Sequence, residues 1–154
     1  IAMETGYSAL DINAMVMGGH GDAMVPMMRY TTVSGIPVSQ FLKPQQIDDI
    51  VTRTRNGGAE ILALRQNSSA YDAPAASVAE MVDAIVHNRN RILPTVCMLE
   101  GEYGHEDIAI GVPAMLGQHG VMDIIELDMT VTEHKMFEHS ASLIREDIDL
   151  LKSM

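Results

Sequence analysis

The segment MVMGGHGDAMVP runs from Met15 to Pro26 and contains the most informative pattern in the sequence. It places His20 among three glycines, directly after an apolar run. An apolar run that leads into glycines is typical of a buried strand that ends in a tight turn. Because glycines carry no side chains, they let a ligand approach the backbone beside the imidazole. We therefore expect His20 to lie in a glycine-rich turn at the end of a buried strand, with no neighbouring side chains to cover it.

Two strands are expected on either side of this histidine. Ile12–Met17 is a short apolar run that enters the glycines, and Val25–Ser34 is rich in residues that favour strands. Gly35–Ile36–Pro37 interrupts the second run. The two segments predict an antiparallel pair with His20 at the corner, preceded by the end of a helix that is capped at Gly6.

Two helices are indicated in the middle of the chain. Helical spacing begins at Ile47, and Gly57–Gly58 is expected to kink or split this first long helix. The next helix is expected to open at Ser69 or at Tyr71–Asp72, with Pro74 in its first turn, where the missing N–H costs nothing. The predicted apolar face of that helix consists of Val78, Met81, Val82, Ile85 and Val86.

The rest of the sequence predicts three strands and a last helix. Apolar runs favour strands over Ile92–Leu99, Ile108–Val112 and Ile124–Leu127. The spacing Thr130-x-x-Glu133 is typical of a capping box and predicts the start of the final helix. Residues 1–154 therefore predict one domain of the α+β class, in which long helices pack on antiparallel strands.

The composition excludes several classes of protein. A formal net charge of −11 argues against a nucleic-acid partner, whose phosphates require a basic surface. The longest apolar runs are far shorter than the ~18–20 residues that span a bilayer, so no membrane partner is expected. Cys97 is the single cysteine, and it is expected to be buried and inert. With no disulfide framework and no secretory leader, a cytoplasmic protein is expected.

His20 is the strongest candidate for chemistry. An imidazole titrates near neutral pH, with an unperturbed pKa of about 6.5, so it both donates and accepts a proton. The alternative is a structural histidine that bonds nearby carbonyls in a tight turn. Asp22 has two interpretations, orienting the imidazole or capping the turn through its own backbone, and the turn role is favoured.

Arg53 and Arg55 precede the two glycines of the first long helix. They would suit a clamp for a carboxylate substrate, but a solvated helix face is the favoured interpretation of either residue. The histidines and the cysteine show no zinc-ligand spacing, so no metal site is expected. Neither a phosphate loop nor a dinucleotide-binding glycine motif is present.

Several segments resemble the NAD-dependent lactate/malate dehydrogenase family. MGGHGDAMVP is similar to the catalytic-histidine motif of that family, and the resemblance continues in the family's order over the whole chain. Gly19 stands where lactate dehydrogenases carry glutamate, which resembles the lactate-dehydrogenase-like malate dehydrogenases of bacteria. The other matching segments are YTTVSGIPVSQFL, IDDIVTRTRNGGAEIL, SSAYDAPAAS, LEGEYG and IGVPAMLGQHGV.

The resemblance implies a mechanism and a set of site residues. His20 would be the general acid/base that exchanges a proton with malate or oxaloacetate, while a hydride is exchanged with NAD. Ser69 and Ala70 would line the substrate pocket, and Pro74 would lie near the nicotinamide ring. The resemblance also implies a homo-oligomer, a dimer or a tetramer, and a place in the tricarboxylic acid cycle.

The family's nucleotide-binding half is not represented in the sequence. The resemblance therefore implies that residues 1–154 are the substrate domain, with an N-terminal Rossmann domain absent from this chain, and that the chain alone is inactive. Two alternatives stay open. One is a lactate-dehydrogenase-type oxidoreductase for another 2-hydroxy acid, and the other is a non-catalytic domain that serves assembly.

Overall fold

The computed structural model describes residues 1–66 and 70–154 of the chain. It begins with a short helix, α1 (Ala2–Thr5), which ends at Gly6 in the left-handed conformation with φ 74°. Such a conformation favours glycine because a Cβ is disfavoured there. The predicted cap at Gly6 is therefore confirmed.

The next part of the chain forms short strands that belong to two different sheets. The antiparallel sheet β1–β4–β5 holds the first, fourth and fifth strands, whereas β2 and β3 pair with each other and join a second sheet. The strands are β1 (Ile12–Asn13), β2 (Val16–Gly18), β3 (Met24–Pro26), β4 (Thr32–Val33) and β5 (Ile36–Pro37). Each predicted strand over 12–17 and 25–34 is therefore two strands, because the chain changes sheets within each run.

The second sheet is completed by three longer strands, β6 (Arg91–Glu100), β7 (Glu106–Gly117) and β8 (Gly120–Ile124). The order is β3–β2–β7–β6, with β8 also pairing with β7, and all pairings are antiparallel. The prediction of a strand over Ile124–Leu127 is wrong, since β8 ends at Ile124. The reason is the tight hairpin between Gly117 and Gly120, which starts β8 earlier in the sequence.

The chain has three long helices, α2 (Pro44–Arg65), α3 (Asp72–Val86) and α4 (Val131–Ser153). Helices α3 and α4 pack on the second sheet, whereas α2 packs mainly on the 3₁₀ turn Gly21–Ala23. The predicted break in α2 is wrong, because the helix is continuous through Gly57–Gly58. A helix interior accepts a glycine at a cost of about 1 kcal/mol relative to alanine. The capping box of α4 is confirmed: Thr130 Oγ1 accepts from the N–H of Glu133, and the Glu133 carboxylate accepts from the N–H of Thr130.

The main core lies between the second sheet and α4. It includes Met17, Val25, Cys97, Leu99 and Phe137, each no more than 4% exposed. The predicted burial of Cys97 is thereby confirmed. Together with the antiparallel sheets and long helices, this core confirms the α+β class.

A smaller core forms where α3 meets the sheet, around Ala84, Leu93 and Leu116, with Met81 and Ile85 packed against it. The predicted apolar face of α3 is only partly right. Val78, Val82 and Val86 are 51–69% exposed, because the helix turns its Ala84 side to the sheet. Within the described residues, no helix has both the length and the apolar character that a bilayer span requires.

Candidate active site

His20 lies in the connection between β2 and β3, where the sequence predicts it. The ladder pairs Met17 with Val25 and ends at the pair Gly18 and Met24. We call the connection Gly18–Met24 the His20 corner. His20 itself has an extended backbone (φ −95°, ψ 152°) and precedes a 3₁₀ turn over Gly21–Ala23, which its side chain does not cap. The imidazole is therefore carried on an exposed corner rather than on a strand.

Gly18 is required by its conformation and by its surroundings. Its φ is 83°, and a Cβ at this position would lie 2.8 Å from Ser140 Oγ and 2.9 Å from the carbonyl oxygen of Ala23. The space beside Gly18 is thus filled by α4 and by the corner itself. This glycine serves packing, whereas Gly21 (φ 72°) has open space around it and serves the turn alone.

Two cavities adjoin His20. One has a volume of about 380 Å³ and lies between the corner and α2, where Arg55, Gly58 and Leu62 form its other wall. The second is an open groove of about 490 Å³ on the other side, with an apolar lining that includes Val16, Val96 and Ile144. His20 therefore lines both cavities, and the one next to α2 also has charged side chains, those of Asp22 and Arg55, in its lining.

Asp22 lies in the same 3₁₀ turn, and with His20 it lines the cavity next to α2. Its side chain is exposed. In the part of the chain that the structure describes, the side chains that bond the corner backbone are Ser140 and Arg55, and Asp22 is not among them. Its two possible roles both stay predictions.

Arg53 and Arg55 have different surroundings although they are two residues apart. Arg53 forms an exposed bidentate pair with Glu60, at 3.1 and 2.8 Å, which raises the pKa of Arg53 and lowers that of Glu60. Arg55 is half-buried and faces the His20 corner, where its Nε donates to the carbonyl oxygen of Met24 at 3.1 Å. Two helix positions two apart point about 200° apart. The solvated-face prediction is confirmed for Arg53 and wrong for Arg55.

The other predicted site residues lie at the junction of α2 and α3. Ser69 is outside the described residues. Ala70 is half-buried and lines a cavity of about 330 Å³ with Leu64 and Tyr71, separate from the two cavities at His20. Pro74 is exposed in the first turn of α3. The roles of Ser69, Ala70 and Pro74 therefore stay predictions.

Arg65 joins the two helices at this junction. Its guanidinium forms an ion pair with Asp72 at 3.0 Å and lies 5.7 Å from the centre of the Tyr71 ring. It thereby ties the end of α2 to the start of α3 on either side of residues 67–69. In residues 1–66 and 70–154, no three His, Cys, Asp or Glu side chains converge on one point.

Sequence reasoning missed Ser140, which lies 121 residues after Gly19. Its Oγ accepts a hydrogen bond from the N–H of Gly19 at 2.6 Å, and the residue is 0% exposed. A signal was present, because Ser140 is a lone hydroxyl on the otherwise apolar stripe of Phe137 and Ile144. A buried polar group requires a partner, but the sequence does not show which backbone group supplies it.

The comparisons with known proteins agree with this geometry. Residues 1–154 match the family model that is described as "lactate/malate dehydrogenase, alpha/beta C-terminal domain". It is 60% identical over 152 residues to malate dehydrogenase of Thioalkalivibrio sulfidiphilus, covering 99% of this chain and 50% of that protein. It is 60% identical over 148 residues to malate dehydrogenase of Nitrosococcus oceani, covering 96% of this chain and 48% of that protein.

Solved structures of malate and lactate dehydrogenases are also similar to this chain. Malate dehydrogenase from Salinibacter ruber has a TM-score of 0.95 at 45% identity and matches 99% of this chain and 50% of its own. Lactate dehydrogenase from Eimeria maxima, solved with NADH and oxamate, has a TM-score of 0.94 at 32% identity and matches 99% of this chain and 47% of its own. The chain spans about half the length of these relatives. Because the family model matches residues 1–154 and the relatives match almost the entire chain, the chain belongs to the lactate/malate dehydrogenase family, to its C-terminal domain.

Proposed function

We propose that this chain is the substrate half of a malate dehydrogenase, which reversibly oxidises (S)-malate to oxaloacetate with NAD. The observation that carries the proposal is the position of His20 on an exposed corner between two cavities. Relatives at 50–60% identity that are named malate dehydrogenase support malate as the substrate. We assign the protein to the cytoplasm and to a homo-oligomer on the family resemblance.

His20 acts as the general acid/base in this proposal. In the oxidation direction the imidazole takes the hydroxyl proton of malate as the C–O bond becomes a carbonyl. In the reverse direction it returns that proton to the oxygen of oxaloacetate. A positioned acid/base of this kind contributes about 10²–10⁴-fold to a rate. NAD supplies the hydride acceptor when it is bound.

The residues of this chain fit only the reacting end of NAD. The apolar groove beside His20 suits a flat ring, with Val16 and Val96 in its wall. The phosphates of a dinucleotide require a glycine-rich turn at a helix N-terminus, and the sequence contains no such motif. We therefore assign the binding of the phosphates and the ribose to an N-terminal Rossmann half. The relatives are about twice as long as this chain, which leaves room for such a half. On the family resemblance alone, we assign Ser69 and Ala70 to the substrate pocket and Pro74 to the surroundings of the nicotinamide ring.

Exposed apolar side chains support a second half that packs on this one. The outer face of β6 presents Ile92, Val96 and Met98, which are 54%, 68% and 59% exposed. The outer face of α3 presents Val78 and Val86 in the same way. An apolar area of this kind marks an interface more often than a free surface.

A lactate-type enzyme is the second candidate. This candidate is supported by the similarity to solved lactate dehydrogenases. One of them, from Cryptosporidium parvum and complexed with lactic acid and NAD, has a TM-score of 0.93 at 35% identity. The two candidates differ in the substrate that is reduced. We favour malate, because the curated relatives of higher identity carry that name.

The test is NADH oxidation by the full-length protein that contains this chain, followed by absorbance with oxaloacetate or with pyruvate. We expect oxaloacetate to be strongly preferred, and His20→Asn to lose at least about 10²-fold in kcat/KM. His119→Asn, at the exposed β7–β8 hairpin, is the matched control and should keep full activity. Equal rates with both substrates would contradict the malate assignment, and full activity of His20→Asn would contradict the catalytic role.

A further inference from the structure

Side chains from two different helices bond the two ends of the His20 corner. On one side of His20, the N–H of Gly19 donates to Ser140 Oγ of α4 at 2.6 Å. On the other side, the carbonyl oxygen of Met24 accepts from Arg55 Nε of α2 at 3.1 Å. Arg55 Nη2 also lies 3.4 Å from the sulfur of Met136 on α4. The histidine is thus bracketed by two contacts that are far apart in the sequence.

The corner requires such support because its own backbone constrains it weakly. The β2–β3 ladder ends at Gly18 and Met24, so residues 19–23 lie outside it. Three of the residues around His20 are glycines, which have the greatest conformational freedom of all residues. A catalytic side chain has to be held within about 0.5 Å of its productive geometry. The two bonds supply restraints at the points where the ladder stops.

We propose that Arg55 and Ser140 are positioning residues, which hold the His20 corner in the geometry that proton transfer requires. The inference rests on the proposed acid/base role of His20. Neither side chain needs to touch the substrate for this role. Arg55 acts through the Met24 carbonyl, and Ser140 acts through the Gly19 amide.

The choice of side chains fits this role. Ser140 is fully buried among apolar neighbours, where a hydroxyl is costly unless it is hydrogen-bonded. An alanine there would leave the N–H of Gly19 without this acceptor. The planar guanidinium of Arg55 contacts the corner and α4 through two different nitrogens at once. A lysine carries the same charge on a single flexible ammonium and does not reproduce this fork.

The experiment compares Arg55→Lys, Arg55→Ala and Ser140→Ala in the full-length enzyme. Matched controls are Arg53→Ala, on the exposed side of the same helix, and Ser142→Ala, whose hydroxyl bonds the carbonyl of His139. The quantities measured are kcat, the KM values for oxaloacetate and NADH, and the ratio of kcat in H₂O to kcat in D₂O. We expect kcat to fall about 10- to 100-fold in Arg55→Ala and Ser140→Ala, since a misplacement of 1 Å costs about that much.

The solvent isotope effect distinguishes positioning from stability. A displaced imidazole slows proton transfer, so the H₂O/D₂O ratio should rise above that of the wild type while the KM for NADH is unchanged. A variant that is merely less stable loses active molecules and keeps the wild-type ratio. We expect Arg55→Lys, which keeps the charge, to show the raised ratio as well.

Wild-type kcat in the variants, or a lowered kcat with a wild-type isotope ratio, would overturn the positioning roles. If Ser140→Ala does not fold, Arg55→Lys decides the question by the same two criteria. If the wild-type enzyme itself oxidises no NADH with oxaloacetate or pyruvate, the proposed function fails, and that result is separate from a failure of the positioning residues.

Discussion

Gly18 and Gly111 face each other in the antiparallel ladder between β2 and β7, with no room for a side chain between them. Gly18 is the residue that pairs with Gly111 in this register. A Cβ on Gly111 would lie 2.6 Å from the carbonyl oxygen of Gly18, closer than real Cβ atoms approach backbone oxygen. This close approach is what joins the strand before His20 to the large sheet.

Gly111→Ala is therefore expected to destabilise the protein and to displace the corner. Overpacking at a site that cannot relax costs about 1–3 kcal/mol. Each kcal/mol lowers the melting temperature of a domain of about 150–250 residues by roughly 2–4 °C. Differential scanning fluorimetry of the full-length protein and its kcat measure the two effects. An unchanged melting temperature would show that β2 and β7 separate without cost.

Gly57→Ala is expected to have the opposite effect. A Cβ at Gly57 meets no atom within 4 Å, and the residue lies inside the continuous helix α2. Alanine at a compatible helical position stabilises by about 0.4–1 kcal/mol. The same thermal measurement should show a small rise. A fall would mean that the surface of α2 at this glycine is covered in the assembled protein.

The acid stability of the protein is expected to depend on Glu133. Burial raises the pKa of this carboxyl, but hydrogen bonds from Thr130 and Arg29 outweigh it, so the net pKa lies below the ordinary value. A depressed folded-state pKa stabilises the protein above the unfolded value, about 4.3, and this contribution disappears as the pH falls through the folded pKa.

Glu133→Gln tests this contribution. The melting temperature of the variant should lie below that of the wild type at pH 7, and the two curves should converge below about pH 4. Gln retains an oxygen for the N–H of Thr130 but loses one of the two oxygens that accept from Arg29, so the comparison measures the charge together with that hydrogen bond. If the difference in melting temperature stays constant from pH 7 to below about pH 4, the lowered pKa of Glu133 does not contribute to stability.

Cys97 is expected to be unreactive in the folded protein. Burial is the main cause that raises the pKa of its thiol, and the charge of Glu102 adds to it. A thiol reacts as its thiolate, so labelling by a maleimide should be slow in native buffer and fast in denaturant. Mass-spectrometric mapping of the peptide that contains Cys97 measures this. Native labelling at the rate of the denatured chain would show that β6 opens readily.

The sequence predicts those features that depend on neighbouring residues. The capping box of Thr130 and Glu133, the cap at Gly6 and the start of α3 are local, because each is set by residues within one turn. The apolar run Ile92–Leu99 also predicts a strand without knowledge of its partner, although it does not show that only alternate residues of β6 are buried. These elements are confirmed with small shifts at their ends.

Features that depend on distant contacts are not predictable in the same way. The side of α3 that meets the sheet follows from Leu93 and Leu116, so helical spacing alone places Val78 and Val82 in the wrong environment. The apolar run 12–17 predicts one strand, because nothing in it shows that the chain changes sheets. The orientation of Arg55 depends on where the corner lies relative to α2, and its neighbours in the sequence do not reveal this.

The bond between Gly19 and Ser140 has a consequence for biosynthesis. A ribosome releases Gly19 long before it reaches the last helix, which supplies the serine. Until α4 has left the ribosome, the N–H of Gly19 lacks this acceptor. The hydrogen bonding of the His20 corner is therefore completed only after α4 has been synthesised and has packed on the sheet.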